Sequence, residues 1–306
     1  MAIKLGYNWR WNLRNGGFGN VSVVDKQFEN QEKRVFVMKR VSTSSRYDLE
    51  FDIHRSVFGF GREAGSDHII EMFAMYVAGT EAVFIVDFAD QGDLGNRCTL
   101  PLHPSLAQNY FRQLIWGLDF IHKKNIVHRD IKPLNLFLKS PSKRITMNAY
   151  NKAKKSFLDK LKIGDFGMAE RYRTDSGKQL WLKGRRGTWT HLAPELFING
   201  MESKGPPLDV WASGIVLVEL LTMKRLWKQA DLNDKNFMKY FDDKYYQMDF
   251  EWKSLGSAKK LVLKLLKVQS AFRITIEDII KDPWFVTDIP EDDEFEIAMR
   301  GRETLV

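Results

Sequence analysis

The sequence predicts an α+β chain of two unequal lobes, a small β-rich one followed by a larger helical one. Three features carry this reading. Strand-like alternation fills the early chain, a Gly-bearing loop at 89–96 interrupts it, and helical periodicity dominates afterwards. A chain of 306 residues is long for one simple core and comfortable for two lobes.

Residues 11–24 and 35–41 read as strands. Val21, Val23 and Val35, Val37 alternate with other residues, and Gly16, Gly17 and Gly19 break the first segment as a hairpin turn would. Residues 45–58 read as a helix, because Leu49, Ile53 and Val57 are spaced four apart on one face. The stretch 59–67 is a polar, Gly-rich loop. Ile69–Val77 and Ala82–Phe88 complete a small sheet, and the loop with Gly92 and Gly95 is the natural hinge. Ser105–His122 then carries Leu106, Tyr110, Phe111, Leu114, Leu118 and Ile121 at helical spacing, and 206–224 and 257–268 repeat the pattern. No internal repeat is visible.

Composition excludes several classes. A hydrophobic share of 44% and a charged share of 28% suit an ordinary globular protein. The single cysteine, Cys98, excludes an internal disulfide framework and suits a reducing compartment, which favours cytoplasm, nucleus or both. The N-terminus lacks the apolar stretch of a signal peptide. The longest apolar run, Val210–Met223, is too short to span a bilayer and reads as a core helix, so no membrane association is expected.

The net charge of +8 is unevenly spread. Residues 139–160 hold seven Lys/Arg against Asp159, and 171–186 hold six against Asp175. The tail reverses sign through Asp288, Glu291, Asp292, Asp293, Glu294 and Glu296. A basic run is usually a solvated loop; an acidic or phosphorylated partner is the sharper reading for both segments. No nucleic-acid recognition module or aromatic-interleaved basic stripe is visible, so nucleic acid is not an expected partner. A monomer is expected.

Three ordered motifs carry the chemistry. Residues 128–135 read His-Arg-Asp-Ile-Lys-Pro-Leu-Asn, Asp165-Phe166-Gly167 begins thirty positions after Asn135, and Ala193-Pro194-Glu195 follows. A carboxylate, an amine and an amide within six positions of one loop can orient a hydroxyl, a phosphate and a metal together. On these motifs the sequence resembles a eukaryotic serine/threonine protein kinase from about residue 9 to 286. The resemblance implies a protein-kinase-like bilobal fold, with an N-lobe at about 9–88, a hinge at 87–93 and a C-lobe at about 94–286. Residues 139–160 stand out as a basic insertion, and 287–306 as an acidic tail.

The resemblance also implies roles. Asp130 accepts the proton of the attacking hydroxyl, Lys132 neutralises the phosphoryl group, and Asn135 and Asp165 hold Mg2+ on ATP. The loop Arg14-Asn15-Gly16-Gly17-Phe18-Gly19-Asn20-Val21 matches the glycine-rich phosphate cover at Gly16, Gly19 and Val21, with Leu13 beside it and Arg14 replacing the first glycine. Lys39, in Phe36-Val37-Met38-Lys39, binds the α- and β-phosphates. Its helix partner is Glu50, with Asp48 and Asp52 as alternatives. Asp87 C=O and Ala89 N–H meet the adenine edge, Val86 is the gatekeeper, Phe137 the floor, and Asp93 lies near the ribose and a substrate arginine. His128 is structural. Thr188 bridges Asp130 and Lys132, Glu195 pairs with Arg273, and Asp209 braces the catalytic loop. Leu134 and His191 stand where glutamate and tyrosine are usual.

Gly214-Ile215-Val216-Leu217, Trp252-Lys253-Ser254-Leu255, the run Ser270–Ile279 and Asp282-Pro283-Trp284 are similar to the DNA-damage checkpoint kinase 1 family. Protein substrates with Ser/Thr targets are thereby implied. A pseudokinase-type binding or scaffold module is the alternative. Pseudokinases typically lose one of the catalytic groups, and here Lys39, Asp130, Lys132, Asn135 and Asp165 are all present. Many kinases order the segment after Asp165 by pairing a phosphate with the arginine beside the catalytic aspartate, here Arg129. The stretch 180–186 offers no hydroxyl for it, so activity without loop phosphorylation is expected.

Overall fold

The computed structural model describes residues 6–16, 19–29, 32–58, 65–140, 159–198 and 201–288. Five antiparallel strands build the first lobe: β1 (Asn8–Gly16), β2 (Gly19–Gln27), β3 (Lys33–Ser42), β4 (Met72–Ala78) and β5 (Glu81–Asp87). Their spatial order is β1-β2-β3-β5-β4. Both faces of the sheet are apolar. Tyr7, Val24, Phe36, Met38, Val83 and Ile85 pack together on one face, and Val41, Ala82 and Phe84 form a separate cluster. Successive side chains on a strand take opposite sides, so Phe84 parts from Val83 and Ile85. The valines that signal β3 are not its core: Val35 is exposed, whereas Phe36 and Met38 are buried against β5 and Tyr7.

Helix α1 (Tyr47–Phe58) lies between the lobes. Its stripe is the expected one: Ile53 and Val57 are buried and Leu49 packs with them in the large core that also fills the second lobe. Residues 59–64 of the expected Gly-rich loop lie outside the described residues; Ser66–His68 form a 3-10 turn. The loop expected over 89–96 is shorter than that. Asp93 accepts the Asn96 amide hydrogen bond at 2.8 Å and caps a one-turn helix α2 (Leu94–Arg97), so the last positions of that loop are helical.

The second lobe is built on α3 (Pro104–Lys123) and α4 (Pro206–Thr222). All six apolar positions read from the spacing of α3 are buried. Pro104 opens that helix, where its missing N–H costs nothing. Helix α4 is apolar on nearly every side and is buried on nearly every side, as a core helix must be. Truncating a fully buried leucine such as Leu114 costs about 2–5 kcal/mol. Four shorter helices follow: α5 (Lys235–Phe241), α6 (Lys259–Leu265), α7 (Ile276–Lys281) and α8 (Pro283–Val286). The run expected as a helix over 257–268 splits, because Trp252–Ala258 is a 3-10 segment with Gly256 at positive φ ahead of α6.

Two small ribbons position the site. Strand β6 (Ile126–Val127) pairs with β9 (Glu170–Arg171), and β7 (Leu136–Lys139) pairs with β8 (Lys160–Ile163). The loop 128–135 leaves β6 and enters β7, while 164–169 leaves β8 and enters β9. The pairing therefore sets the two loops side by side. Lys139 and Lys160, expected in the basic insertion, are the paired ends of β7 and β8, and residues 141–158 lie outside the described residues. In the acidic tail only Thr287 and Asp288 are described; Asp288 pairs with Arg112 at 2.7 Å. Among the described residues, no helix is long and apolar enough to cross a membrane.

Candidate active site

Asp209 organises the loop 128–135 from inside α4. Its carboxylate accepts the backbone N–H of His128 at 2.8 Å and of Arg129 at 2.9 Å, and His122 Nε2 lies at 2.8 Å. Burial alone would raise the Asp209 carboxyl. The His122 contact and the His128 donor outweigh it and hold the group below the usual carboxylate range. Arg129 takes a left-handed φ of 68°, a turn that non-glycine residues enter only where neighbours compel it.

Asp130 sits at the centre of a polar knot. Its Oδ1 accepts Thr188 N–H at 2.8 Å and Thr188 Oγ1 at 2.7 Å. Its Oδ2 accepts Asn135 Nδ2 at 2.9 Å and pairs with Lys132 Nζ at 2.8 Å. Lys132 Nζ also donates to Thr188 Oγ1 at 2.7 Å. Thr188 is brought there by Gly187, whose φ is 110° and whose imagined Cβ would lie 2.3 Å from the Arg129 carbonyl oxygen. Only glycine allows that approach.

Lys39, on β3, joins the lobes. Its Nζ lies 2.8 Å from Glu50 Oε1 and 2.9 Å from Asp165 Oδ1. The helix acid selected is Glu50, the expected first choice, and not Asp48 or Asp52. Burial would lower the Lys39 ammonium, but Asp165 and Glu50 together raise it well above its ordinary value. Partial withdrawal from water works against the Asp165 carboxylate, yet the adjacent Lys39 charge holds it below the usual range. Glu50 is raised, chiefly by burial. Asp165 itself has a left-handed φ of 63° and a side chain 46% exposed.

Behind Asp165, Phe166 is fully buried between two imidazoles. The His54 ring stacks on it at 4.5 Å with an interplanar angle of 23°, and His128 meets it edge-on at 5.0 Å. His54 Nε2 lies 2.6 Å from the Ile70 carbonyl oxygen. Burial pushes the His54 imidazole down to about 4, so it is neutral near pH 7 and donates to Ile70. Sequence reasoning missed His54. The available signal was its place on α1 four residues after Glu50, one turn along the same face.

The hinge side holds the other expected residues. Asp87 N–H donates to Glu71 O at 2.8 Å and its carboxylate is held by Lys139 Nζ at 2.6 Å. The Ala89 carbonyl accepts Gly92 N–H at 3.2 Å. Phe137 packs so closely on Gly164 that a Cβ there would stand 2.8 Å from its ring. Both carboxylate oxygens of Asp93 accept Asn96 hydrogen bonds at 2.8 Å. On the glycine-rich hairpin, Gly16 pairs with Gly19 and Val21 faces Lys39 across the sheet, while Leu13 is 47% exposed; Gly17 and Phe18 lie outside the described residues. Val86 pairs with Val37.

Two structural pairs complete the surroundings. Arg273 Nη1 and Nη2 each donate to Glu195 at 2.9 Å, with both side chains buried. His191 Nε2 lies 3.2 Å from Glu219 Oε2, so the residue standing for tyrosine still reaches α4.

Among the described residues, no three His, Cys, Asp or Glu side chains gather to hold a metal ion by themselves. The oxygen atoms of Asp165 and Asn135 suit a hard cation that takes few protein ligands and completes its shell with phosphate and water, which is the habit of magnesium. Asn135 uses its Nδ2 on Asp130, which leaves its amide oxygen for such a role.

The protein kinase domain family matches residues 12–285. The serine/threonine-protein kinase chk-1 of Caenorhabditis elegans is 32% identical over 279 residues, covering 89% of this chain and 51% of that protein. The serine/threonine-protein kinase grp of Drosophila melanogaster is 28% identical over 284 residues, covering 91% and 50%. The CBL-interacting protein kinase 10 of rice is 31% identical over 230 residues, covering 73% and 45%. The chain thus spans about half the length of the curated relatives it matches.

Proposed function

The chain belongs to the protein kinase family, and on that premise we propose that it transfers the γ-phosphoryl group of ATP to serine or threonine hydroxyls of protein substrates. One observation carries the proposal. A single hydrogen-bonded knot joins Asp130, Lys132, Asn135 and Thr188, and a second joins Lys39, Glu50 and Asp165. A binding module without turnover would have no need to keep both.

Asp130 accepts the proton of the incoming hydroxyl as the new oxygen–phosphorus bond forms and the bond to ADP breaks. Lys132, already beside Asp130, offsets charge on the phosphoryl group in transit. Thr188 keeps the carboxylate and the ammonium aligned before substrate arrives, so the charges need little reorganisation. Lys39 binds the α- and β-phosphates and is held for that task by Glu50. Asp87 and Ala89 meet the adenine edge over Phe137, under the glycine-rich hairpin with Leu13, Gly16, Gly19 and Val21. Asp165 and Asn135 would hold Mg2+, which would draw off negative charge from the phosphates.

Substrates are chosen away from basic peptides. Both Asp93 oxygens already serve Asn96, and Leu134 presents a 37% exposed apolar surface where the kinase resemblance implies a glutamate. The segment 171–186 adds positive charge, though Lys183 pairs with Glu202 and Arg171 with Asp175. Acidic or phosphorylated partners suit what remains, with 139–160 contributing its own basic charge. The similarity to chk-1 and grp favours a role in checkpoint signalling.

The test is phosphorylation of an arrayed peptide library with ATP and Mg2+. The wild-type chain labels Ser/Thr peptides, while Asp165→Asn or Asp130→Asn lowers turnover by orders of magnitude in protein that remains folded. Undiminished transfer by either purified variant would refute the assignment.

A further inference from the structure

Glu170 pairs with three arginines from three separate parts of the chain. Its Oε1 accepts Arg186 Nη1 at 2.6 Å and Arg46 Nη2 at 3.3 Å, and Oε2 accepts Arg129 Nη1. Arg46 stands at the entry to α1, one turn before Glu50. Arg129 precedes Asp130, and its side chain is fully buried. Arg186 lies two residues before Thr188. Arg129 Nη2 also donates to the Lys183 and Gly184 carbonyls at 3.1 and 2.7 Å, which ties the same cluster to the basic stretch 171–186.

Three guanidiniums around one carboxylate repel each other strongly once that carboxylate is removed, and a buried cation loses its counter-charge. We propose that Glu170 is a positioning residue whose carboxylate does what an added phosphate does in other kinases, binding Arg46, Arg129 and Arg186 into one cluster. This rests on the kinase reading above. Arg46 keeps α1 close, so Glu50 reaches Lys39. Arg186 and Arg129 hold the turn at Gly187, so Thr188 reaches Asp130 and Lys132. The segment after Asp165 is therefore set by a residue in the chain and needs no modification to be competent.

The test uses the full chain, treated with phosphatase, in wild-type form and as Glu170→Gln, Glu170→Asp and Arg186→Gln. Phosphatase-treated wild type is expected to keep its full turnover. Glu170→Gln keeps the shape and loses the charge. It is expected to lower kcat by at least about tenfold, since small misplacements of catalytic groups are costly. Glu170→Asp recovers part of the loss. Sulfate, at tens of millimolar and against chloride of equal ionic strength, raises kcat of Glu170→Gln several-fold and leaves wild type unmoved. Trypsin reports the same change without catalysis: cleavage within 183–186 is faster in Glu170→Gln, and sulfate slows it.

Arg186 is 41% exposed, so Arg186→Gln folds even if the Glu170 variants do not, and it too is expected to lose kcat. An inactive wild-type chain speaks against the kinase reading. A wild-type chain that works, alongside Glu170→Gln and Arg186→Gln variants with unchanged kcat and unchanged trypsin cleavage, overturns the role of Glu170. Loss of wild-type activity on phosphatase treatment overturns it as well.

Discussion

His54 shows how one buried side chain links pH to the geometry of the site. Its imidazole is pushed down to about 4 in the folded chain, against about 6.5 in an unfolded one. The folded state therefore binds fewer protons between those values. Stability is complete above about pH 6.5 and falls as the pH drops towards 4, by at most about 1.4 kcal/mol per unit. The melting temperature should decline over that window, and His54→Leu should flatten part of the decline relative to wild type. Parallel curves for the two proteins would show that His54 does not stay neutral. Leu134 governs a different property. Leu134→Glu should raise the preference for peptides with arginine upstream of the target, read as kcat/KM on a peptide library. A wild-type chain already strongly selective for arginine, and unchanged by the substitution, would refute the apolar reading of this surface.

Single elements were readable in the sequence to different degrees. The apolar stripe read along α3 is buried at each of its positions, because a long amphipathic helix repeats its signal over many turns. The one-turn helix α2 gave no period to read, and only the Asp93 cap marks it. Between elements, Glu195 is tied to Arg273. The pair is bidentate and buried, and Arg273 also donates to the Pro207 carbonyl at 2.6 Å. Arg273→Ala leaves Glu195 buried without a partner, so a loss of about 3–5 kcal/mol is expected. Urea unfolding should show a lower midpoint with an unchanged slope. A loss under about 1 kcal/mol would mean that the pair behaves as an exposed one does.

Across the whole molecule, Lys39 of β3 reaches Glu50 of α1 and Asp165 of the second lobe. Lys139 and Lys160 are direct cross-strand partners, so a tight turn can close the ribbon without residues 141–158. Asp159 must stay, because it is buried beside Arg97 at 3.3 Å. Replacing 141–158 with such a turn should leave ATP affinity and melting temperature nearly unchanged. A large fall in either would show that the basic stretch packs on the folded lobes. If both are kept while phosphorylation of acidic peptides weakens, the stretch acts in partner selection.

Local order along the chain was enough to identify the family, the two-lobed α+β architecture and the residues gathered around Asp130 and Asp165. Those groups sit in short motifs, since a reacting hydroxyl, a phosphate and a metal must be met within one loop. The separation of Lys39 from its helix acid could be read only as a choice of three, and the fold resolved it to Glu50 because that position faces β3. Other contacts are made only by the tertiary fold. Glu170 follows Asp165 as an ordinary strand residue, yet it gathers Arg46, Arg129 and Arg186 across separations of 124, 41 and 16 positions. His54 is one polar residue on a helix until Phe166 is laid against its ring. A motif records what must be adjacent in sequence for the chemistry. Partners joined by burial and charge across the whole chain become adjacent only when the core closes.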